Sequence, residues 1–275
     1  MRIARVGRRM FLADLGRGTI ALAVLGPAAV SCSSGNGGSS SGSSTNSGAT
    51  TGATSLAPPT TTSPTSSSPA TSAAANDALA PVTYHRVSLG FVSAYLLVRG
   101  NEAAVVDTGV DGSVDEIQGA LDAASVGWDV VGHVILTHHH PDHVGSLSAV
   151  LDAATGATAY AGEPDIAQIT SPRPLRAVGD GDEVFGLQVI ATPGHTPGHI
   201  AVLDPGSALL VAGDALNREG GSGLAGANPD FSDDMAQAAE SVRKLAGLTI
   251  DAILFGHGDP IDSGAGPLLD QLAAS

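Results

Sequence analysis

From residue 82 onward, short apolar runs alternate with polar turns, and the spacing of apolar positions switches between two and three or four. Residues 82–88, 91–98 and 103–106 read as three short strands, with Gly90 and Arg99-Gly100-Asn101 supplying the turns. Helical spacing of Val114, Ile117 and Leu121 predicts a helix over 112–124, and 130–136 reads as a buried strand. Helical spacing returns after Asp142 through Val144, Leu147, Val150 and Leu151. A strand follows at 158–161, then a short helix from Glu163. Further strands are expected over 183–191, 199–203 and 208–212. A helix over 232–245, a strand over 252–255 and a helix over 266–272 close the chain. Strands come in clusters with helices between them, so the pattern predicts sheets packed on each other with helices outside, not a strictly alternating parallel sheet. No internal repeat is visible, although both halves run strands first and helix afterwards.

The pattern is absent upstream. Residues 33–78 are almost entirely Ser, Thr, Gly, Ala, Asn and Pro. Such a segment cannot bury enough apolar surface to offset its ordering entropy and is expected to be a disordered tether. Residues 1–32 have a different character. Arg8-Arg9 precede Met10-Phe11-Leu12, and an apolar run covers 19–30. This resembles a twin-arginine export signal, a route that moves folded proteins, and the run is too short for a permanent membrane span. Cys32, the only cysteine, lies just past that run in Ala29-Val30-Ser31-Cys32. The segment resembles a lipobox with Ala29 where Leu is usual, so Cys32 is either a lipidated N-terminus or a cleaved or unused thiol. The expected organisation is an export signal over 1–32, a tether over 33–78 and a folded domain over 79–275. The domain would then be exported and lipid-anchored on the outer face of the cytoplasmic membrane, or otherwise secreted or periplasmic.

Charge narrows the partners. Of 12 basic and 27 acidic residues, the first 32 positions hold five Arg and one Asp. The remainder has 7 basic and 26 acidic residues, about −19. That field repels phosphate backbones, and no basic patch with interleaved aromatics appears, so nucleic-acid binding is not expected. The partner left is a small-molecule substrate, with the membrane reached only through an N-terminal lipid. Nothing in the pattern sets the oligomeric state.

The chemistry is concentrated in Thr137-His138-His139-His140-Pro141-Asp142-His143, directly after the apolar strand. Neutral imidazoles and carboxylate are the donors that zinc and iron prefer. His138 and His140, two apart at a strand end, can point at one ion. Asp142 and His143 fall on the first turn of the next helix and diverge from them, which favours a second ion beside the first. Three other places repeat one motif, an apolar strand delivering a donor at a tight turn. These are His195 in Thr192-Pro193-Gly194-His195-Thr196-Pro197-Gly198-His199, Asp214 after Val211-Ala212-Gly213, and His257 in Phe255-Gly256-His257-Gly258. Any one alone would suit a hydrogen-bonded turn residue, but four such places in one small domain point to a metal centre.

In this order, HxHxDH, PGHTPGH, GD and GHG resemble the metallo-β-lactamase superfamily over about 82–262, in its glyoxalase II and lactonase-like branch. The resemblance implies a four-layer αβ/βα sandwich, an α/β (α+β) fold, with a binuclear site in the cleft between its sheets. By motif, His138, His140 and His195 would hold one ion. Asp142, His143 and His257 would hold the other, and Asp214 would bridge both. Zinc is the implied metal, with iron or manganese as alternatives. Asp107, in Val105-Val106-Asp107-Thr108-Gly109, would brace the ligand loop. His139 and His199 match positions off the metals, and His85 and His133 read as structural.

The implied chemistry is hydrolysis by a metal-bridging hydroxide that Asp142 orients and relieves of its proton. No GxSxG elbow and no cysteine in the folded domain offer a rival nucleophile. A bridging Asp resembles the thioesterase, lactonase and phosphodiesterase branches, not the β-lactamases. The chain ends soon after His257, without the helical domain that glyoxalase II enzymes use for glutathione. Arg218 is the one conspicuous basic residue near the site, and the Gly/Asn-rich stretch 217–231 is expected to form a lid. An ester-like, lactone or thioester bond is therefore the expected substrate. A mononuclear iron sulfur dioxygenase and a non-catalytic metal-binding surface lipoprotein are the alternatives.

Overall fold

The computed structural model describes residues 80–218 and 223–275. The expected export signal, lipobox and tether lie outside the described residues. Those described fall in one compact unit.

The first sheet has six strands in sequence order, β1 (Thr83–Ser88), β2 (Ser93–Arg99), β3 (Glu102–Val106), β4 (Val131–Leu136), β5 (Thr158–Gly162) and β6 (Arg176–Val178). β1, β2 and β3 pair antiparallel, and β3 to β6 run parallel. The parallel crossovers carry α1 (Val114–Ala124), then the short α2 (Pro141–Val144) and α3 (Leu147–Ala153). The second sheet contains β7 (Glu183–Val184), β8 (Leu187–Ala191), β9 (Ile200–Asp204), β10 (Leu209–Gly213) and β13 (Ala252–Phe255), in the order β13-β10-β9-β8-β7. α4 (Met235–Ala246) and α5 (Ala265–Ala273) flank β13 in sequence, and a small ladder joins β11 (Leu216–Asn217) to β12 (Ala225–Gly226).

Three apolar layers explain why the strands read as almost unbroken apolar runs. In β2, successive side chains point to opposite faces: Leu96 packs with Ile117, Leu121, Leu147 and Leu151 of the helices. Its neighbours Tyr95 and Leu97 face Leu187, Val189, Val202 and Leu254 of the other sheet. A third layer sets Ile190, Leu203, Leu210, Ile253 and Phe255 against Val242 and Leu245 of α4 and Leu269 of α5. The result is helices, sheet, sheet, helices, as the strand clusters predicted. Buried polar groups pin the two sheets together. Tyr95 donates its hydroxyl to the Phe255 carbonyl at 2.7 Å, and the partly buried Arg99 pairs with the buried Asp204 at 2.9 Å.

Three expectations need correction. The single strand over 183–191 is a hairpin, because Phe185 and Gly186 both take positive φ (58° and 71°) and turn the chain. The strand expected from residue 91 starts at Ser93: Leu89 N–H donates to the Val92 carbonyl around Gly90, so Phe91 sits on the tip of the turn. The stretch 217–231, read as irregular throughout, contains part of the β11/β12 ladder and a tight helical turn over Pro229–Phe231.

Candidate metal centre

Each donor sits just past the C-terminal end of a strand, and the two sheets bring these ends together. β4 ends at Leu136, and the chain continues to His140, whose extended backbone (φ −62°, ψ 145°) lets Pro141 open α2. His195 lies between β8 and β9, Asp214 follows β10, and His257 follows β13. All seven predicted residues meet in one place. His195 Nε2 is 3.2 Å from His138 Nε2 and 3.0 Å from His140 Nδ1. His257 Nε2 is 3.4 Å from Asp142 Oδ2. The Asp214 carboxylate reaches both sides: it lies 3.4 Å from His195 Nε2, 3.4 Å from His143 Nε2 and 3.2 Å from His257 Nε2. Three donor groups result, His138/His140/His195, His138/His143/Asp214 and Asp142/His143/His257.

Hydrogen bonds behind the rings fix which nitrogen faces inward. Asp107 accepts from Thr137 N–H at Oδ1 and from the Thr137 hydroxyl at Oδ2, each at 2.8 Å. The Thr137 proton is then committed, so its oxygen accepts from His138 Nδ1 at 3.0 Å. His143 Nδ1 donates to Asp107 Oδ2 at 2.8 Å. His257 Nδ1 donates to the Phe91 carbonyl at 2.8 Å. Ser232 gives its proton to the Asn228 carbonyl at 2.6 Å and accepts from His195 Nδ1 at 3.1 Å. Four imidazoles thus hold Nδ1–H against an outer acceptor and turn Nε2 toward the centre, the arrangement in which imidazole ligates a metal.

The residues fit metal ions on three counts. Tetrahedral donors about 2.1 Å from zinc stand roughly 3.4 Å apart, close to the spacings observed. His143 Nε2 and Asp214 Oδ1 are buried and make no hydrogen bond although only 3.4 Å apart. Such orphans are costly unless a shared ligand satisfies them. The donor set is imidazole and carboxylate throughout.

The family model of the metallo-beta-lactamase superfamily matches residues 87–257. The chain belongs to that superfamily. It is 28% identical over 196 residues to the uncharacterized protein YobT of Bacillus subtilis, covering 61% of this chain and 83% of that one. It is 34% identical over 168 residues to the hydroxyacylglutathione hydrolase of Aeromonas salmonicida, covering 58% of each. The chain therefore spans a little over half the length of that relative. Among solved structures, TTHA1623 in a di-iron-bound form aligns with a TM-score of 0.56 and 26% identity, over 70% of this chain and 97% of that one. The metallo-beta-lactamase family protein TTHA1429 of Thermus thermophilus aligns at the same TM-score with 24% identity, over 70% and 78% of the two chains, a likeness of fold.

In this member of the metallo-beta-lactamase superfamily, burial and charge divide the histidines into two kinds. Burial, reinforced by His143, His199 and His195, holds His138 neutral far below the usual imidazole range. Burial likewise lowers His195 to about 4, although Asp214 opposes it. His143 and His257 go the other way. Burial would lower each, but Asp214 and Asp107 raise His143 to about 9, and Asp142 and Asp214 raise His257 to about 11. The acidic side of the centre thus demands positive charge, which protons supply when no metal does.

His199 behaves as the motif implied, off the metals but tied to one donor. Asp214 N–H donates to its Nε2 at 3.0 Å, and its Nδ1 meets the Thr192 hydroxyl at 2.7 Å. Burial lowers His199 to about 3, consistent with a neutral ring that accepts at Nε2. His139 belongs to none of the donor groups, and its Nδ1 lies 3.0 Å from Asp165 Oδ2. His133 stacks on Tyr160 and meets Glu102 at 3.0 Å. His85 lies in β1.

Asp165 went unnoticed in the sequence. Fully buried, it accepts from His139 N–H at 3.1 Å, the Thr196 hydroxyl at 2.6 Å and Gly198 N–H at 2.7 Å, and so joins the histidine loop to the loop of His195. Its only trace was an acid just past a buried strand. The centre opens into a cavity of about 610 Å³ between the turn of Phe91 and the segment of Phe231, with His140, Asp142, Asp214 and His257 on its floor.

Proposed function

We propose that the chain is a metal-dependent hydrolase with two zinc ions that cleaves an ester-like, lactone or thioester bond. The observation that carries this reading is Asp214, whose carboxylate lies within 3.4 Å of nitrogens from both halves of the centre. His138, His140 and His195 would hold one ion, and Asp142, His143 and His257 the other, with Asp214 shared. Bound ions would supply Lewis acidity and bring the pKa of water near neutrality. Asp142 borders the cavity and is one-quarter exposed. Burial would raise its pKa, but the hydrogen bond from His257 and the charge of His143 outweigh burial and lower it. At neutral pH it is therefore an acceptor, able to orient a water in the cavity and take its proton. The hydroxyacylglutathione hydrolases that the chain resembles support a hydrolase reading, and the di-iron form of TTHA1623 makes iron the alternative occupant.

The test joins metal analysis to a substrate panel of lactones, thioesters, phosphodiesters and β-lactams. Two zinc ions per chain and turnover of a lactone, ester or thioester are expected. A single iron with oxygen uptake would overturn the hydrolase in favour of a dioxygenase. We also propose that residues 1–32 export the domain and that lipid on Cys32 anchors it. Cys32→Ser should release the domain from membranes, and unchanged fractionation would exclude the anchor.

A further inference from the structure

Among the described residues, no lysine or arginine lines the cavity above the centre. Phe91, Val110, Asp111, Asn217, Asn228 and Phe231 form the part of its lining that is not candidate donor, with Pro141 and Gly145 completing it. The domain's basic residues are engaged elsewhere. Arg218, the one basic residue near the site in sequence, donates to the Pro260 carbonyl at 3.2 Å and so braces the loop that follows His257. Arg86 holds the same loop through Asp259 at 2.7 Å and the Gly258 carbonyl at 2.9 Å. Arg99 pairs with Asp204, Arg173 donates to the Leu151 carbonyl, Arg176 lies over the Tyr160 ring and Lys244 pairs with Asp180. Arg243 lies on α4, against α5 and away from the cavity.

The polar lining also favours acceptors. Asn217 directs its amide donor to the Asp214 and Gly226 carbonyls, 3.3 Å each, which leaves its oxygen as what it can offer a ligand. Asp111 adds a carboxylate at the rim. Against these stand two exposed rings, Phe91 at 64% and Phe231 at 67%, in a domain with very few exposed large apolar side chains. Phe91 is also stacked on His257, with ring centroids 6.0 Å apart and planes at 13°, so this apolar surface adjoins the donor set directly.

Resting on the hydrolase reading, we infer that the cleft takes a substrate whose uncharged, apolar arm packs against Phe91 and Phe231, and disfavours substrates that carry a carboxylate or phosphate on that arm, out of reach of the ions. Away from the bound ions, a carboxylate on the ligand would find no arginine fork and no ammonium among the described residues, only Asp111 and the domain's negative field. Discrimination of this kind is achieved by the unpaired charge in the wrong complex as much as by contacts in the right one.

The test uses two phenyl esters with the same leaving group, a hexanoate and a glutarate half-ester, each rate normalised to its hydroxide-catalysed hydrolysis. With metal-loaded full-length protein, kcat/KM should favour the hexanoate by at least tenfold. Raising salt should narrow the gap by screening the glutarate's repulsion. Asp111→Lys should raise the glutarate-to-hexanoate ratio severalfold, and Phe231→Ala should lower kcat/KM for the hexanoate through KM. Binding of the two matching amides, followed by saturation-transfer NMR, should show the same order without turnover. Equal or reversed preference in rate and binding would overturn the inference while leaving the hydrolase intact. No turnover of either ester, or of any member of the wider panel, would instead remove the hydrolase reading itself.

Discussion

Four donor residues enter the centre from one six-residue loop, whereas His195, Asp214 and His257 each enter alone from the end of a different strand. The two regions are held by different means. The loop leaves β4 without a ladder of its own, and carboxylates tie it down: Asp107 grips Thr137 and His143, and Asp165 grips the backbone of His139. The strand ends are already fixed by the second sheet, and they rely on close backbone approach. Gly256 N–H donates to the Gly213 carbonyl at 3.0 Å, which holds the Asp214 and His257 turns side by side. A loop dense in donors needs side-chain braces, while donors delivered singly by strands need glycine.

The largest effect should come from the residue that joins the two regions. Asp214→Ala should lower metal content from two ions to about one. Turnover should fall by more than the 10–100-fold typical of losing an outer partner. Mass spectrometry of the native protein reads the stoichiometry, and two retained ions would show that Asp214 is not shared.

The strand-end region should then fail sterically. A Cβ on Gly256 would lie 2.1 Å from Asp214 Oδ1 and 2.7 Å from His143 Cε1, inside any real contact. Gly256→Ala should therefore displace the shared carboxylate and reduce binding of the second ion. Its cost in stability should be modest, about 1–3 kcal/mol, the range for overpacking. Thermal unfolding with and without metal separates the two effects, and a variant with full occupancy would deny that backbone approach matters here.

Acidity offers a way to load both regions at once. His143 and His257, raised to about 9 and about 11, carry protons at neutral pH on the nitrogens that must face an ion. Metal binding must displace these protons, so apparent affinity should rise with pH, most steeply below 9 and more gently between 9 and 11. Calorimetry in buffers of different ionisation enthalpy should count about two protons released at pH 7. The loop histidine His138 and the strand-end His195 are held neutral and should add none.

The contrast also governs how much could be read in advance. The dense loop announces itself, because four histidines and an aspartate in six positions have no packing explanation. The single donors became legible only through repetition, one donor after each of several apolar strands. The layers followed from strands apolar on both faces, such as Tyr95, Leu96 and Leu97 facing alternate layers. What stayed hidden depends on contacts between segments distant in the chain. Asp165 is one acid among many until folding brings Thr196 and Gly198 to it. Phe91 looked like the start of a strand, since its apolar character fits β2 and only the Gly90 turn moves it to the cavity rim. The Phe185-Gly186 hairpin was masked because the apolar alternation of 183–191 continues through the turn.

A brace of the loop should act by degree. Asp107 accepts three hydrogen bonds that orient Thr137, His138 (through Thr137) and His143. Asp107→Asn keeps the volume but presents an N–H toward one of these donors. Metal affinity should drop about 10–100-fold, with stoichiometry restored at high zinc. Equilibrium dialysis distinguishes this from the fixed loss expected for Asp214→Ala. Loss of an ion that excess zinc cannot restore would place Asp107 with the donors.

Asp165 should show the smallest effect, because it braces the seam between the regions without orienting a donor nitrogen. Its two oxygens accept from His139 N–H, Thr196 and Gly198 N–H, and no water replaces these partners at a site with no exposed surface. In Asp165→Asn one oxygen becomes a donor facing donors, and the penalty of an unsatisfied buried group is about 1–3 kcal/mol. Unfolding should shift by that amount in metal-free protein and by somewhat more in metal-loaded protein, with both ions retained and affinity lowered only a few-fold. Had the two regions been rigid independently of each other, stability would fall without any change in affinity. Had the seam positioned His195 directly, one ion would be lost. A parallel, small decline in both would show that the loop and the strand ends share strain through Asp165, which is what one carboxylate hydrogen-bonded to both predicts.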